Sequence, residues 1–363
     1  MILKLFPRFY DTICILDYRN IKTIAVICML LTISVTFCFT NNFSNVEIID
    51  IDIPDEKEDA TLLDRTKLYV EMSESETKFL SYLIRRYKPK KIVEIGVSSG
   101  GSSVVILNAI KDIYGAKLYS IDLSKNVYKC PSKPVGFVVH KYFSHLMKNN
   151  WRLYTGNITA KFMDEIGGDI DFVFIDTVHR NPGEILDFLQ ILPYLKAGAI
   201  VVFHDTSFHF LERSDYNGGW TNCALLSVIR GQKIIPHKDL LNGVALTFPN
   251  IGAIKLDDHQ EKFAFDYFNM LVLPWYYFPN KEQINLLRDF FKKHYDSFCS
   301  DIFERAVSKH NLYMEYPKEP NVVDLIMVLW KTASRIGSRI ITFLKSQSQN
   351  SSQTQDGKQK CTP

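Results

Sequence analysis

The stretch from Lys91 to Ser103, KIVEIGVSSGGSS, constrains this chain more than any other. A short apolar strand pattern stops at a turn of glycines and small residues, and a helical pattern, Val104 to Ile113, takes over. A helix entered through glycines leaves its first backbone N–H groups unpaired, and without Cβ atoms in the way a ligand can reach the main chain. The pattern predicts an α/β fold with a nucleotide-type pocket at the end of this strand.

The spacing narrows the pocket. A dinucleotide fingerprint needs G-x-G-x-x-G after the strand, whereas Glu94, Gly96 and Gly100 read E-x-G-x-x-x-G. This resembles motif I of the class I S-adenosylmethionine (SAM) methyltransferases. The resemblance implies that the turn, with Gly96, Ser98, Gly100 and Ser102, wraps the methionine part of SAM, and that the Glu94 carboxylate helps hold its ammonium group. The same turn also occurs in α/β folds that bind nothing.

Further along, Lys117 to Leu123 is a second strand pattern carrying Asp122 near its end. An acid at that tip is placed to accept hydrogen bonds from ribose hydroxyls, in SAM and NAD enzymes alike. Trp151 to Asn157 is a third strand and turn, and in the resembled fold Gly156 and Asn157 flank the adenine. Between them, Asn126 to Asn150 reads as a long loop with a short helix near His140 to Met147, expected to form part of a substrate wall. Asp169 to Asp176 is an almost continuous apolar strand. A helix, Gly183 to Lys196, closed by Gly198, leads to another strand, Ala199 to Phe203. These two strands end in Asp176, Thr177, Val178, His179 and in His204, Asp205, Thr206, where open α/β sheets bind ligands.

The run from Phe174 to Thr206 resembles methyltransferase family 24, whose pattern is I-D-x-D-H, a helix, then a strand ending H-D. Asp176, His179, His204 and Asp205 match, while Val178 stands where the second acid is common and leaves the number of ligands open. The resemblance spans about Glu74 to Leu256. It implies a doubly wound, Rossmann-like, seven-stranded sheet closed by an antiparallel hairpin, here Val244 to Phe248 and Ala253 to Leu256 around the turn Pro249 to Gly252. Carboxylates on neighbouring strand tips can hold a hard divalent ion that lowers the pKa of an acceptor hydroxyl. Asp176 and Asp205 are therefore the candidate Mg²⁺ ligands. Imidazoles suit the proton transfer, with His179 the first candidate base and His204 the second; each also reads as a hydrogen-bonded structural histidine. The expected activity is methyl transfer to a hydroxyl of a sugar or other small polar acceptor. A hydroxylase-like relative and a membrane-tethered, non-catalytic binding module are the alternatives.

The ends add an address. Behind a short segment, 1–22, no charge occurs from Thr23 to Val46, and Ile24 to Phe39 is nearly all apolar, close to the ~20 residues that cross a bilayer. It reads as a transmembrane anchor, with a cleaved signal peptide as the alternative. An acidic linker, 47–70, would join it to the methyltransferase domain, 71–258. Lys4, Arg8, Arg19 and Lys22 before the span favour an outer location for the bulk of the chain. SAM supply favours the cytoplasmic side, which is the expectation adopted. A helical extension, 259–345, follows. Its Trp275, Tyr276, Tyr277 and Phe278 read as subdomain core in preference to a sugar-stacking platform. Val322 to Lys345 forms a basic amphipathic pattern that suits either a membrane surface or a packed terminal helix. The polar tail, 346–363, has the composition of a disordered segment. A net charge of +3 over 363 residues does not indicate nucleic acid as a partner, and seven scattered cysteines read as reduced thiols.

Overall fold

In the computed structural model the described residues are 46–49, 71–147, 150–207, 219–237, 240–241, 244–245 and 249–315. The apolar run 24–39, residues 50–70 of the linker, the helix expected over 322–345 and the tail lie outside them. Among the described residues, no helix is long and apolar enough to cross a membrane. The chain divides into two compact units, 1–306 and 307–363. Only 307–315 of the second are described, and they are helical.

The first unit opens with strand β1, Val46–Ile49. Helix α1, Glu74–Tyr87, starts at a capping box in which Ser73 and Glu76 satisfy each other's backbone N–H groups. Its apolar stripe, Phe79, Leu80, Leu83 and Ile84, is fully buried. Lys88 in the left-handed region stops it, and Pro89 follows. Strand β2, Lys91–Ile95, leads through the glycine turn to α2, Gly101–Ile110, and then to β3, Lys117–Asp122. A small ladder of β4, Asn126–Val127, and β5, Cys130–Pro134, precedes α3, Phe137–Tyr142. Next come β6, Trp151–Thr155, α4, Met163–Ile166, β7, Ile170–Ile175, α5, Gly183–Ile191, and β8, Leu195–His204. Then follow α6, Thr221–Val228, β9, Gly231–Pro236, the two-residue strands β10, Leu240–Leu241, and β11, Val244–Ala245, and β12, Ile251–Leu256.

Eight strands form the central sheet in the order β1-β9-β12-β8-β7-β2-β3-β6. All pairings are parallel except those of β12, which runs antiparallel to both β8 and β9. The doubly wound, Rossmann-like α/β fold is as the sequence implies, with three corrections. The sheet has eight strands, not seven, because 46–49, read as the end of the anchor and start of the linker, is an edge strand on β9. The antiparallel neighbours of β12 are β8 and β9; Val244–Ala245, expected beside it, pairs with Leu240–Leu241 in a separate ladder. Gly198 lies inside β8, and the helix before it ends at Ile191.

The extension begins with α7, Ala264–Asn269, α8, Lys281–His294, and α9, Ser297–Glu315. Of the four aromatics read as its core only Trp275 is buried, while Tyr276 and Phe278 are exposed and Tyr277 faces the cavity. The core is made by others: Tyr267 meets Phe188 of α5 edge-on with ring centroids 5.4 Å apart, and Phe291 meets Phe268 and Phe303, each at 5.0 Å. Each large ring fully buried is worth roughly 2–3 kcal/mol before entropy is counted. The segment beyond Leu273 is pinned by Asn181, whose carbonyl accepts from the N–H groups of Tyr276 and Tyr277 and whose amide donates to the Pro274 carbonyl. Tyr277 thereby reaches the carboxyl edge of the sheet.

Candidate active site

A cavity of about 500 Å³ opens at the carboxyl ends of β2, β3, β6 and β7, within the usual range for small-molecule sites. Gly96, Ser98, Ser102, Asp122 and Asn157 line one part of it, and Asp176 and His179 another. Gly96 sits at φ +91°, and an added Cβ would fall 1.7 Å from the Asp176 carbonyl oxygen. The main chain is therefore bare on that side of the turn. Ser98 Oγ is buried and makes no hydrogen bond among the described residues.

Asp122 organises this turn. Its Oδ2 accepts from the N–H groups of Val97 and Ser98 at 3.0 and 2.9 Å, and its Oδ1 from Ser124 N–H at 2.8 Å. The loop expected as a substrate wall contributes Asn126 and Tyr128 to the cavity, and Tyr128 is tied by its hydroxyl to Glu71. Asn157 lines the cavity while its Oδ1 accepts from Ile158 N–H.

Glu94 and Gly100 do not line the cavity. Gly100, at φ +96°, caps α2 and packs on Gly136 and Val139. Glu94 is wholly buried. Its Oε1 accepts from Ser102 at 2.6 Å, and its Oε2 from Ser103 and Ser120 at 2.6 and 2.5 Å. Burial pushes its pKa from 4.5 up to about 7, against the pull of those three hydroxyls. The folded state thus keeps a proton that the unfolded chain releases near pH 4.5, so stability falls as pH rises from about 4.5 to 7 and is level above. Glu94→Gln is expected to remove about 2 kcal/mol of that slope. Urea midpoints at pH 5 and pH 7.5 measure it, and a slope equal to wild type would refute this protonation state.

The acidic cluster lies where β7 and β8 end. Asp176 Oδ1 is 3.5 Å from His179 Nε2 and 3.3 Å from His204 Nδ1. Asp205 Oδ2 is 3.2 and 3.6 Å from the same two nitrogens. Ser98, His179 and Asp205 hold positive φ values of 48°, 52° and 53°, a conformation that costs a non-glycine residue roughly 1 kcal/mol or more and is concentrated at working sites. Asp176, His179 and Asp205 offer donor atoms all within 4.8 Å of one another, so a divalent ion fits.

His179 faces the cavity, and the carboxylate of the fully buried Glu184 stands 3.7 Å from its Nδ1 and accepts its backbone N–H. His204 is different. It is 2% exposed and does not line the cavity, with Glu76 Oε2 3.5 Å from its Nε2. Burial alone would lower its pKa, but Asp205, Asp176 and Glu76 together raise it well above the ordinary value. Closed off from the cavity, His204 is the less well placed of the two candidate bases.

Sequence reasoning passed over several residues here. Glu76 carries no signal of its own in the sequence, and Asn250, which donates to both Glu76 Oε1 and Asp205 Oδ1 at 2.8 Å, follows a proline in a turn. Asp187, lining the cavity and raised to about 7 by burial and by Glu184, looked like one polar position of an amphipathic helix. Tyr277 and Leu287 bring the extension into the wall.

With this geometry in view, the family comparison is decisive: residues 93–206 match the family-24 model described as a methyltransferase domain. Over those residues the chain is a methyltransferase domain. The match takes in the glycine turn, Asp122 and the cluster from Asp176 to Asp205, while Glu76, Asn250 and Tyr277 lie outside it. No curated protein matches the chain closely enough to count as a relative. Solved structures that resemble it include the O-methyltransferase TomG from Streptomyces achromogenes in complex with SAM, at 15% identity over 56% of this chain and 91% of that one, with a TM-score of 0.40. SAH-bound methyltransferase PaMTH1 from Podospora anserina follows at 16% identity, 63% and 96% coverage and a TM-score of 0.41. An O-methyltransferase from Bacillus cereus in complex with SAH gives 15%, 56%, 92% and 0.41. Likeness at that level carries no weight beyond what the family match and the strand order supply.

Proposed function

We propose that this methyltransferase domain transfers the methyl group of SAM to a hydroxyl of a sugar or other small polar acceptor, with a divalent ion at Asp176 and Asp205. The observation that supports this is a single cavity whose wall joins the bare glycine turn and Asp122 to Asp176 and His179. SAM supplies an electrophilic methyl carbon, and a divalent ion lowers the pKa of a hydroxyl beside it. The remaining work falls to the chain. The turn and Asp122 fix the donor, the cluster orients the acceptor oxygen for in-line attack, and His179 takes the hydroxyl proton at Nε2, its other nitrogen facing Glu184. Tyr277 and Leu287 keep water from that side of the cavity. The run 24–39 would tether the domain to the cytoplasmic face of a membrane, which suits a surface glycan or its lipid-linked precursor as acceptor. Protease protection in intact vesicles tests the topology.

Calorimetry of the full chain with SAM is the primary test. Micromolar binding is expected, and Asp122→Ala should weaken it about 10- to 100-fold, since it removes a charged acceptor that also holds the turn. Absence of SAM binding by the wild-type chain, or binding unchanged by Asp122→Ala, would overturn the reading.

A further inference from the structure

Both histidines of the cluster turn a nitrogen toward the same two carboxylate oxygens, but from different environments. His204 does so from the interior: its side chain is 3% exposed, against 19% for His179. Its Nδ1 lies 3.3 Å from Asp176 Oδ1 and 3.6 Å from Asp205 Oδ2, yet outside hydrogen-bond geometry to either, and it makes no hydrogen bond among the described residues. A buried ring nitrogen aimed between two carboxylate oxygens without hydrogen-bonding either stands where a metal ligand would stand. Donors around one divalent ion at about 2.1 Å stand about 3 Å apart when adjacent and about 4 Å when opposite. The two separations from Nδ1, 3.3 and 3.6 Å, fit that spacing.

The far side of the ring completes the pattern. Its Nε2 faces Glu76 Oε2 at 3.5 Å, also without a hydrogen bond among the described residues. That carboxylate is fixed by the Ser73 N–H and, through Oε1, by Asn250, whose amide also holds Asp205 Oδ1. Metal-bound imidazoles commonly give their second N–H to such a carboxylate, which sets tautomer and orientation. Glu76 comes from α1, outside the matched segment, so this arm is a feature of the whole fold.

We propose that His204 is a ligand of the metal ion, through Nδ1, beside Asp176 and Asp205, and that the site therefore takes a first-row transition ion in preference to Mg²⁺. Magnesium favours all-oxygen sets and retains its waters. An imidazole donor favours ions further along the first row, for which nitrogen-containing sites have higher affinity. His179, facing the cavity, stays outside the inner set as the proton acceptor. The inference rests on the reading of Asp176 and Asp205 as metal ligands.

Metal titration of the metal-stripped full chain tests it without an acceptor. Calorimetry with MnCl₂, CoCl₂ and MgCl₂ is expected to give affinities at least about tenfold tighter for Mn²⁺ and Co²⁺ than for Mg²⁺. Pulsed EPR of the Mn²⁺ form is expected to show nitrogen hyperfine coupling that persists in His179→Gln and vanishes in His204→Gln. Should His204→Gln fail to fold, coupling in wild type that survives His179→Gln still assigns the nitrogen. Binding that favours Mg²⁺, bound Mn²⁺ without nitrogen coupling, or coupling lost in His179→Gln would each overturn the proposal. If no divalent ion binds, the metal part of the proposed function falls with it, while SAM calorimetry reports separately on the donor site.

Discussion

Gly96→Ala is expected to abolish measurable SAM binding, a loss of at least about 100-fold, and to lower the melting temperature. The new Cβ would sit 1.7 Å from the Asp176 carbonyl oxygen and 3.3 Å from Thr177 Cγ2, on a residue with φ +91°. The closest contact is with main chain, so no rotamer relieves it. Left-handed backbone at a residue with a Cβ adds roughly 1–2 kcal/mol, and overpacking adds about 1–3 more. The strain must be released by parting the tips of β2 and β7, which are held together by Asp176 N–H to the Ile95 carbonyl at 2.9 Å, and by pulling on the Gly96 N–H bond to the Ile121 carbonyl of β3, also at 2.9 Å. That movement spoils the turn and displaces Asp176 together. Gly100→Ala is the internal control: its Cβ would meet Gly136 Cα at 3.0 Å, away from the cavity wall, so it should lose stability with a smaller loss of binding. Calorimetry with SAM and a thermal melt on each variant measure both quantities. Gly96→Ala binding SAM within threefold of wild type would show that the turn is not the donor cradle.

What the sequence made legible follows from what is local. The path β2, glycine turn, α2 could be read because strand period, backbone freedom and helix entry all lie within about twenty residues. The two strand tips could be read because apolar runs end abruptly in polar residues. Glu94 shows where such reading stops. Its place two residues before the glycine suggested a ligand contact, but its partners Ser103 and Ser120 come from other elements and close over it, which no spacing discloses. The misassigned hairpin has a related cause. Gly231–Pro236 begins and ends with residues that weaken a strand signal, whereas Val244 to Phe248 has better β composition. Tertiary pairing with β1 and β12 overrode both local preferences. His204 was legible as a polar strand end, but whether it faces the cavity or the interior depends on Glu76, 128 positions earlier in the chain.

That dependence makes Glu76→Gln the substitution expected to cost most in stability among those that keep side-chain shape. Glu76 is 1% exposed and serves three groups at once: the Ser73 N–H at the start of α1, the Asn250 amide, and the His204 ring. Burial by itself would raise its pKa, but the charge of the nearby His204, with the hydrogen bonds from Ser73 and Asn250, holds it down from 4.5 to about 2. A carboxyl lowered on folding contributes stability that is complete above its unfolded value, near pH 4.5, and is lost as pH falls through about 2. Uncharging one partner of a buried pair costs about 3–5 kcal/mol, which in a unit of this size corresponds to a melting temperature lower by about 10 °C. The difference between wild type and Glu76→Gln should be full at pH 7 and narrow steadily between pH 4.5 and pH 3. Urea denaturation of both proteins in chelator-containing buffer at pH 7, 5 and 3.5 follows that difference. A gap that stays constant with pH, or that is under about 1 kcal/mol at pH 7, would mean that Glu76 acts only as a helix cap and that the His204 charge is balanced by Asp176 and Asp205 alone.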